Sequence, residues 1–280
     1  MQQTAEEQEQ KKLNAKLYIA IEEGNTKNVI HLIESGANVN ARDENDNAAL
    51  DIAAQIGNVE TIEALIRLGA NVDARNEDGK TPLYYASAPK RIEALIRLGA
   101  NVNERDNLGN TPLHRNAEIF EDSAKSIETL IRLGANVNAQ DKLGNTPLHL
   151  VAIKDEEGYI ENAEALIRLG ADVNAQNANG DTPLHYIKKM TRYINFPDPM
   201  IKFLLEHKAD TSIKDNKGDS LNSGTHSIIQ KMNQIIENIN QEQKRFNDIK
   251  EYIEKSSEIN AEELVAKINR DRFDDKKNFH

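Results

Sequence analysis

The chain of 280 residues has no cysteine and no tryptophan. The lack of thiols excludes disulfides, thiolate catalysis, iron–sulfur ligation and cysteine zinc sites together. Aromatic residues are 5% of the chain and hydrophobic residues 38%. A single thick core would want more large apolar groups. A layered structure needs fewer, because each unit buries a thin slab of Leu, Ile, Val and Ala on its neighbours. No stretch approaches the roughly 18 apolar residues of a membrane span. The opening residues MQQTAEEQEQKK contain no apolar segment of a secretory signal. The expectation is a protein that begins in a cytoplasm, with residues 1–12 disordered. Basic excess is also missing: the net charge is -11. Such a surface repels phosphate backbones, so no nucleic-acid partner is expected. It suits a basic protein partner and equally serves solubility.

Repetition is what the sequence has instead. IEALIRLGAN occurs at Ile62–Asn71 and again at Ile92–Asn101, with close copies starting at Ile127 and Ala163, an earlier version at Val29 and a decayed one at Ile201. The shared glycine falls at Gly36, Gly69, Gly99, Gly134 and Gly170, with Lys208 in the sixth place, so the steps are 33, 30, 35, 36 and 38. Thr-Pro-Leu-His occurs complete at Thr111–His114, Thr146–His149 and Thr182–His185, and Thr81–Tyr84 is a near copy. A period of about 33 with this phrase resembles the ankyrin-repeat family, over roughly Leu13 to Gly224. The resemblance implies an all-α class: an ankyrin-repeat solenoid of stacked helix pairs joined by β-hairpin-like turns.

Each recurring residue has a physical task. Thr can cap exposed amides at a helix start, and Pro at the first helical position gives up no needed N–H. Ile62, Leu65, Ile66 and Leu68 lie on one face of a second helix, and Gly69 suits a left-handed C-cap. Asn76-Glu77-Asp78-Gly79 reads as a hairpin tip. The repeats run Leu13–Arg42, Asp43–Arg75, Asn76–Arg105, Asp106–Gln140, Asp141–Gln176 and Asn177–Lys214, with a degenerate seventh start at Asp215–Gly224. Ala15-Lys16-Leu17-Tyr18 replaces the usual phrase in the first, as befits an end cap. The joint between helices is shortened at 86–92 and lengthened at 118–125, 154–161 and 189–199. Lys208 in a glycine place should cost up to about 1–2 kcal/mol if the backbone stays left-handed.

Residues 225–280 change character. Ile228, Met232, Ile235, Ile239, Phe246, Ile249 and Ile253 space out one apolar seam of a helix from about His226 to Lys255, with a second short helix at Ala261–Ile268. This helical hairpin or coiled-coil-like tail covers the last repeat, self-associates, or docks another protein.

Familiar chemistry is not found. Gly79-Lys80-Thr81 lacks the phosphate-loop glycine five places earlier, where Ala74 stands. Asp43, Asn45 and Asn47 open like a calcium loop, but Ala48 and Ala54 fill its glycine and glutamate places. His114, His149 and His185 recur once per repeat and so are spread along a stack rather than gathered round an ion. In the family the equivalent histidine bonds locally beside the Thr. No cofactor, metal or catalytic set is expected.

The family resemblance implies a concave binding face. Its contact positions fall here on the tips at Glu44, Asn45, Asn47; Glu77, Asp78, Lys80; Asn107, Leu108, Asn110; Lys142, Leu143, Asn145; and Ala178, Asn179, Asp181. The ends of the first helices add Gln55, Ile56; Glu118, Ile119; Ile153, Lys154; and Lys189, Met190. Leu108 and Leu143 form an apolar strip with Ile119 and Ile153, or lie flat on their hairpins. The expected function is a protein-interaction scaffold or adaptor, with a self-assembling protein or an enzyme's targeting subunit as alternatives. Its partner is a protein, and the chain is monomeric or associates through its tail. The Cys-free, Asn-, Ile- and Lys-rich composition is similar to ankyrin proteins of host-associated bacteria, which implies export to a host cell.

Overall fold

Wherever Thr-Pro opens a repeat, a helix starts at the proline, and wherever the glycine closes one, the second helix has just ended. The computed structural model describes residues 5–119, 123–154, 158–190, 199–221, 241–248 and 250. The first helices of the successive repeats are α1 (Ala5–Glu22), α3 (Ala49–Ile56), α5 (Pro82–Tyr85), α7 (Pro112–Ala117), α9 (Pro147–Ala152) and α11 (Pro183–Met190). The second helices are α2 (Thr26–Glu34), α4 (Val59–Arg67), α6 (Pro89–Arg97), α8 (Ser123–Arg132), α10 (Gly158–Arg168) and α12 (Pro199–Glu206). First helices pack on first helices and second on second, making two parallel rows. Among the described residues there is no strand, only the bridge pairs Arg42–Ala48 and Lys214–Ser220.

The core lies between the rows. The Leu of each opening phrase is buried (Leu50, Leu83, Leu113, Leu148 and Leu184), as are Ile62, Leu65, Ile92, Leu95, Ile127 and Leu130 on the second helices. Burying one such side chain contributes about 1.5–3 kcal/mol. Small residues between them (Ala53, Ala86, Ala117 and Ala152, all buried) let the rows approach.

Lys208 keeps the left-handed backbone of the glycines it replaces, with φ 69°. Residues 1–12 were expected to be disordered, and here the structure differs: α1 already begins at Ala5. The reason is visible at Gln10 and Asn14. In repeats 2, 4, 5 and 6, an asparagine of the preceding repeat grips the peptide at the second helix's end. Asn40 donates from Nδ2 to Gly69 O (3.1 Å) and accepts from Asn71 N (3.1 Å). In repeat 1 the same place is served from its own first helix: Gln10 Nε2 donates to Gly36 O (2.9 Å) and Asn14 Oδ1 accepts from Asn38 N (3.0 Å). The leading helix does for repeat 1 what the asparagine grip does elsewhere.

The chain divides into two compact units, Met1–Gly224 and Thr225–His280. In the second, 241–248 is helical and Phe246 is exposed. The rest of the expected tail seam, the helix at Ala261–Ile268 and parts of the lengthened joints lie outside the described residues.

Candidate functional site

Each hairpin tip is a five-residue turn organised by its first side chain. Asp106 Oδ1 accepts from Leu108 N and Asn110 N (both 2.8 Å), and Asp141 does the same for Leu143 N and Asn145 N. The fourth residue is a left-handed glycine, with φ 87° at Gly109 and 78° at Gly144. Successive tips are stitched together by backbone bonds: Asn107 N to Asp78 O (2.7 Å), Lys142 N to Leu108 O (2.9 Å), Ala178 N to Leu143 O (2.9 Å) and Asn216 N to Asn179 O (3.0 Å). At the first tip Asp46 takes the glycine place with φ 61°, and its Oδ2 receives Glu77 N instead (2.5 Å). The tips therefore form one continuous hydrogen-bonded row.

On this row Glu44, Asn45, Glu77, Asp78, Asn107, Lys142, Ala178 and Asn179 are exposed, and Leu108 and Leu143 expose 67% and 65% of their surface. The last member of each set does not face outward. Asn145 and Asp181 are buried. The Asn145 amide donates to Asp141 Oδ2 and its Oδ1 accepts from Asn177 Nδ2. Asn47 and Asn110, half-buried, bond in the same way to Asp43 and Asp106. Lys80 is half-buried between Asp78 (2.9 Å) and the Tyr84 ring. A fifth tip residue precedes the helix start, so its side chain turns back to close the turn.

The helix-end residues divide as well. Gln55 and Ile56 are exposed, while Glu118, Ile119, Ile153 and Lys154 are half-buried. Lys154 lies against the Tyr159 ring. Lys189 is a clasp: its ammonium bonds Asp181 Oδ1 (2.6 Å) and Asp215 Oδ2 (2.7 Å), tying the sixth repeat to the degenerate seventh. That ammonium holds the Asp215 carboxyl down at about 2, and the two carboxylates raise Lys189 against the opposing effect of burial. The Met190 side chain lies outside the described residues.

A column of first-helix residues escaped the sequence reading. Ile19, Ile52, Tyr85, Arg115, Leu150 and Tyr186 share one register, directly after the histidine place. Ile19 is exposed by 53%, Arg115 is exposed, and Ile52, Tyr85 and Tyr186 are half-buried, whereas Leu150 is buried. The available signal was spacing: Ile52 and Ile56, like Arg115 and Ile119, are four apart and so share a helix face.

His114 and His149 are engaged through both ring nitrogens inside the stack, whereas His185 bonds Thr182 through Nδ1 and leaves its Nε2 unpartnered. His149 Nδ1 accepts from Thr146 N (3.2 Å) and lies 2.9 Å from Thr146 Oγ1, and its Nε2 bonds Asp181 O in the next repeat (2.9 Å). His114 repeats this with Thr111 and Asn145 O. An accepting Nδ1 and a donating Nε2 define the neutral ring. Burial accordingly lowers the pKa of His114, His149 and His185. In repeat 2 the same place holds Asp51, buried, with Oδ2 accepting from Ala48 N (2.8 Å) and Oδ1 unpartnered. Burial pushes its carboxyl up to about 6. Among the described residues no group of His, Asp and Glu is placed to hold a metal ion. Nor is any described helix long and apolar enough to cross a membrane. The shortened joint of repeat 3 leaves an open cleft of about 820 Å³ between Gly57–Glu60 and Ala88–Arg97, away from the tips.

No curated protein matches the chain. The family model described as "Ankyrin repeats (3 copies)" matches in overlapping frames at residues 17–106, 50–141, 88–177 and 113–215. Among solved structures, the crystal structure of the ankyrin repeat domain of Bcl-3, described as a unique member of the IkappaB protein family, is similar in fold. It is 24% identical, with 73% of this chain and 90% of that chain covered and a TM-score of 0.60. With more than half of its length matched and the stacked helix pairs in place, the chain belongs to the ankyrin-repeat family.

Proposed function

We propose that this chain is a protein-interaction scaffold or adaptor that grips a protein partner on the face formed by its tip row and first helices. One observation carries the reading. Leu108 and Leu143, 67% and 65% exposed, stand on adjacent tips joined by the Lys142 N to Leu108 O bond. Neither side chain fills a gap in the stack. Two large apolar groups held in fixed register and left in water suit a surface that a partner desolvates. Binding without turnover fits the same region: His114 and His149 are neutral and engaged, and the carboxylates of the turns close hydrogen bonds.

The test is the pair Leu108→Asp and Leu143→Asp in the full chain. Crosslinking with mass spectrometry in native lysate should show partner crosslinks near the tips for the parent and their loss in the variant. The melting temperature should change by no more than a few degrees. Unchanged crosslinks remove the strip from consideration. The composition supports a narrower version of this reading, an effector exported to a host cell. A translocation reporter fused to the chain that never reaches host cytosol would sink it.

A further inference from the structure

The tip row is polarised along its length. Its first two tips expose Glu44, Glu77 and Asp78, with Lys80 offsetting Asp78 alone. The next two expose Leu108 and Leu143, beside Asn107 and Lys142. Beneath the acidic tips, at the end of the helix that follows Glu44, Ile56 is 54% exposed beside the exposed Gln55. Arg42, a cation at this end, is already committed: its guanidinium contacts Asp46 and donates to Arg75 O. The wider region carries the same sign, since the chain's charge is -11 and residues 225–280 hold ten Lys or Arg against eleven Asp or Glu.

From this we infer the partner's chemistry: a single polypeptide segment, rich in Lys or Arg where it crosses the tips of repeats 2 and 3 and apolar where it crosses those of repeats 4 and 5. This rests on the tip-row reading above and adds to it the order of charge and apolarity. Acidic groups at an exposed edge attract an oppositely charged segment, setting its orientation and its association rate, and that attraction is screened by salt. The leucines act after encounter, on dissociation, because they gain only when water leaves them. A segment with the reverse order would put its cations against leucine and its apolar groups against carboxylate. Polarity therefore selects direction as well as composition.

The experiment uses the full chain as bait for a phage-displayed library of random dodecapeptides. The tightest enriched peptide is then synthesised and its affinity read by fluorescence anisotropy. Enriched sequences should combine a Lys/Arg block with a pair of large apolar residues. Raising NaCl from low to high should weaken binding by about tenfold. The triple variant Glu44→Lys, Glu77→Lys, Asp78→Lys, folded by circular dichroism, should weaken it by a similar factor and remove the salt dependence. Peptides without basic residues, or a selection that enriches nothing, overturn the proposal. So does an affinity that survives the triple variant within twofold yet is lost in Leu108→Asp/Leu143→Asp; the tip row then binds, but not by this polarity. Insensitivity to both variants overturns the tip-row reading itself.

Discussion

Repeats 4 and 5 on one side and repeats 2 and 6 on the other have the same helices but join their neighbours differently. Repeats 4 and 5 each reach into the next repeat through a histidine bond, an asparagine grip and a tip-to-tip bond, and repeat 4 adds a Glu128–Arg168 pair. Repeat 2 has Asp51 for the histidine, Asp73 for the asparagine, and Asp46 for the tip glycine before it. Repeat 6 has Lys208 for the closing glycine, and Lys202 and Glu206 with the Glu–Arg charges reversed. Helices form in every case. The recurring polar residues thus serve the joints between repeats more than the repeats themselves, as expected where stability is a sum of units and nearest-neighbour interfaces.

The sharpest break of that comparison is at glycine. A Cβ on Gly144 would lie 2.5 Å from Ala178 N, in the neighbouring tip, whereas one on Gly69 meets nothing within 4 Å. Both have positive φ. Gly69→Ala should therefore lose only about 1 kcal/mol of backbone strain. Gly144→Ala should lose about 3 kcal/mol, because strain adds to a displaced tip bond, and its melt should fall by roughly 6–12 °C. Equal losses would mean that the tips are not coupled.

Acid separates the same two regions, with opposite signs. In repeats 4 and 5, His114 and His149 have lowered values in the folded state. Their neutral forms stabilise the stack above the ordinary 6.5, and as pH falls below it the unfolded chain takes protons that the fold refuses, so stability drops. Asp51 is raised from 3.8 to about 6. Its penalty is complete above pH about 6 and is relieved as pH falls toward 4. Asp51→Asn keeps an acceptor for Ala48 N and should stabilise the chain by about 1–2 kcal/mol at pH 8. The gain should shrink toward pH 5, so the variant's acid loss, followed by urea titration, is steeper than the parent's. A gain that does not vary with pH would assign the effect to packing.

Periodicity, caps and the core leucines were legible because each is a local requirement repeated in register, and noise in one repeat is corrected by the next. The same logic failed at three places. Asn145 and Asp181 sit on the hairpin, but the last residue of a five-residue turn faces the helix it precedes. Lys189 sits at a helix end beside solvent, yet two carboxylates from separate tips converge on it. Gln10 and Asn14 belong to a polar segment that reads as solvated, and their partners are peptide groups 26 and 24 residues away. Side chains that bond to backbone leave no complementary residue type to search for.

The left-handed non-glycine residues give a smaller contrast. Lys208→Gly should stabilise the chain by about 0.5–1 kcal/mol, since relief of strain exceeds the added freedom of the unfolded chain. Asp46 has similar geometry, but its carboxylate accepts Glu77 N and contacts Arg42. Asp46→Gly should therefore lower stability rather than raise it. Thermal melts of the two variants moving in the same direction would contradict this.

The smallest expected effect isolates one proton. Asn40, Asn103, Asn138 and Asn174 each donate from Nδ2 to a closing carbonyl of the next repeat and accept from the amide two residues on. Asp73 accepts from Asn101 N at 3.1 Å but has no N–H to offer Gly99 O. Asp73→Asn supplies that donor without altering shape, and should raise the urea midpoint by the equivalent of about 0.5 kcal/mol at unchanged slope. Asn103→Asp performs the reverse change one repeat later and should lower it by a similar amount. If the two variants are not opposite in sign, water already satisfies these carbonyls, and the grip acts through its acceptor alone.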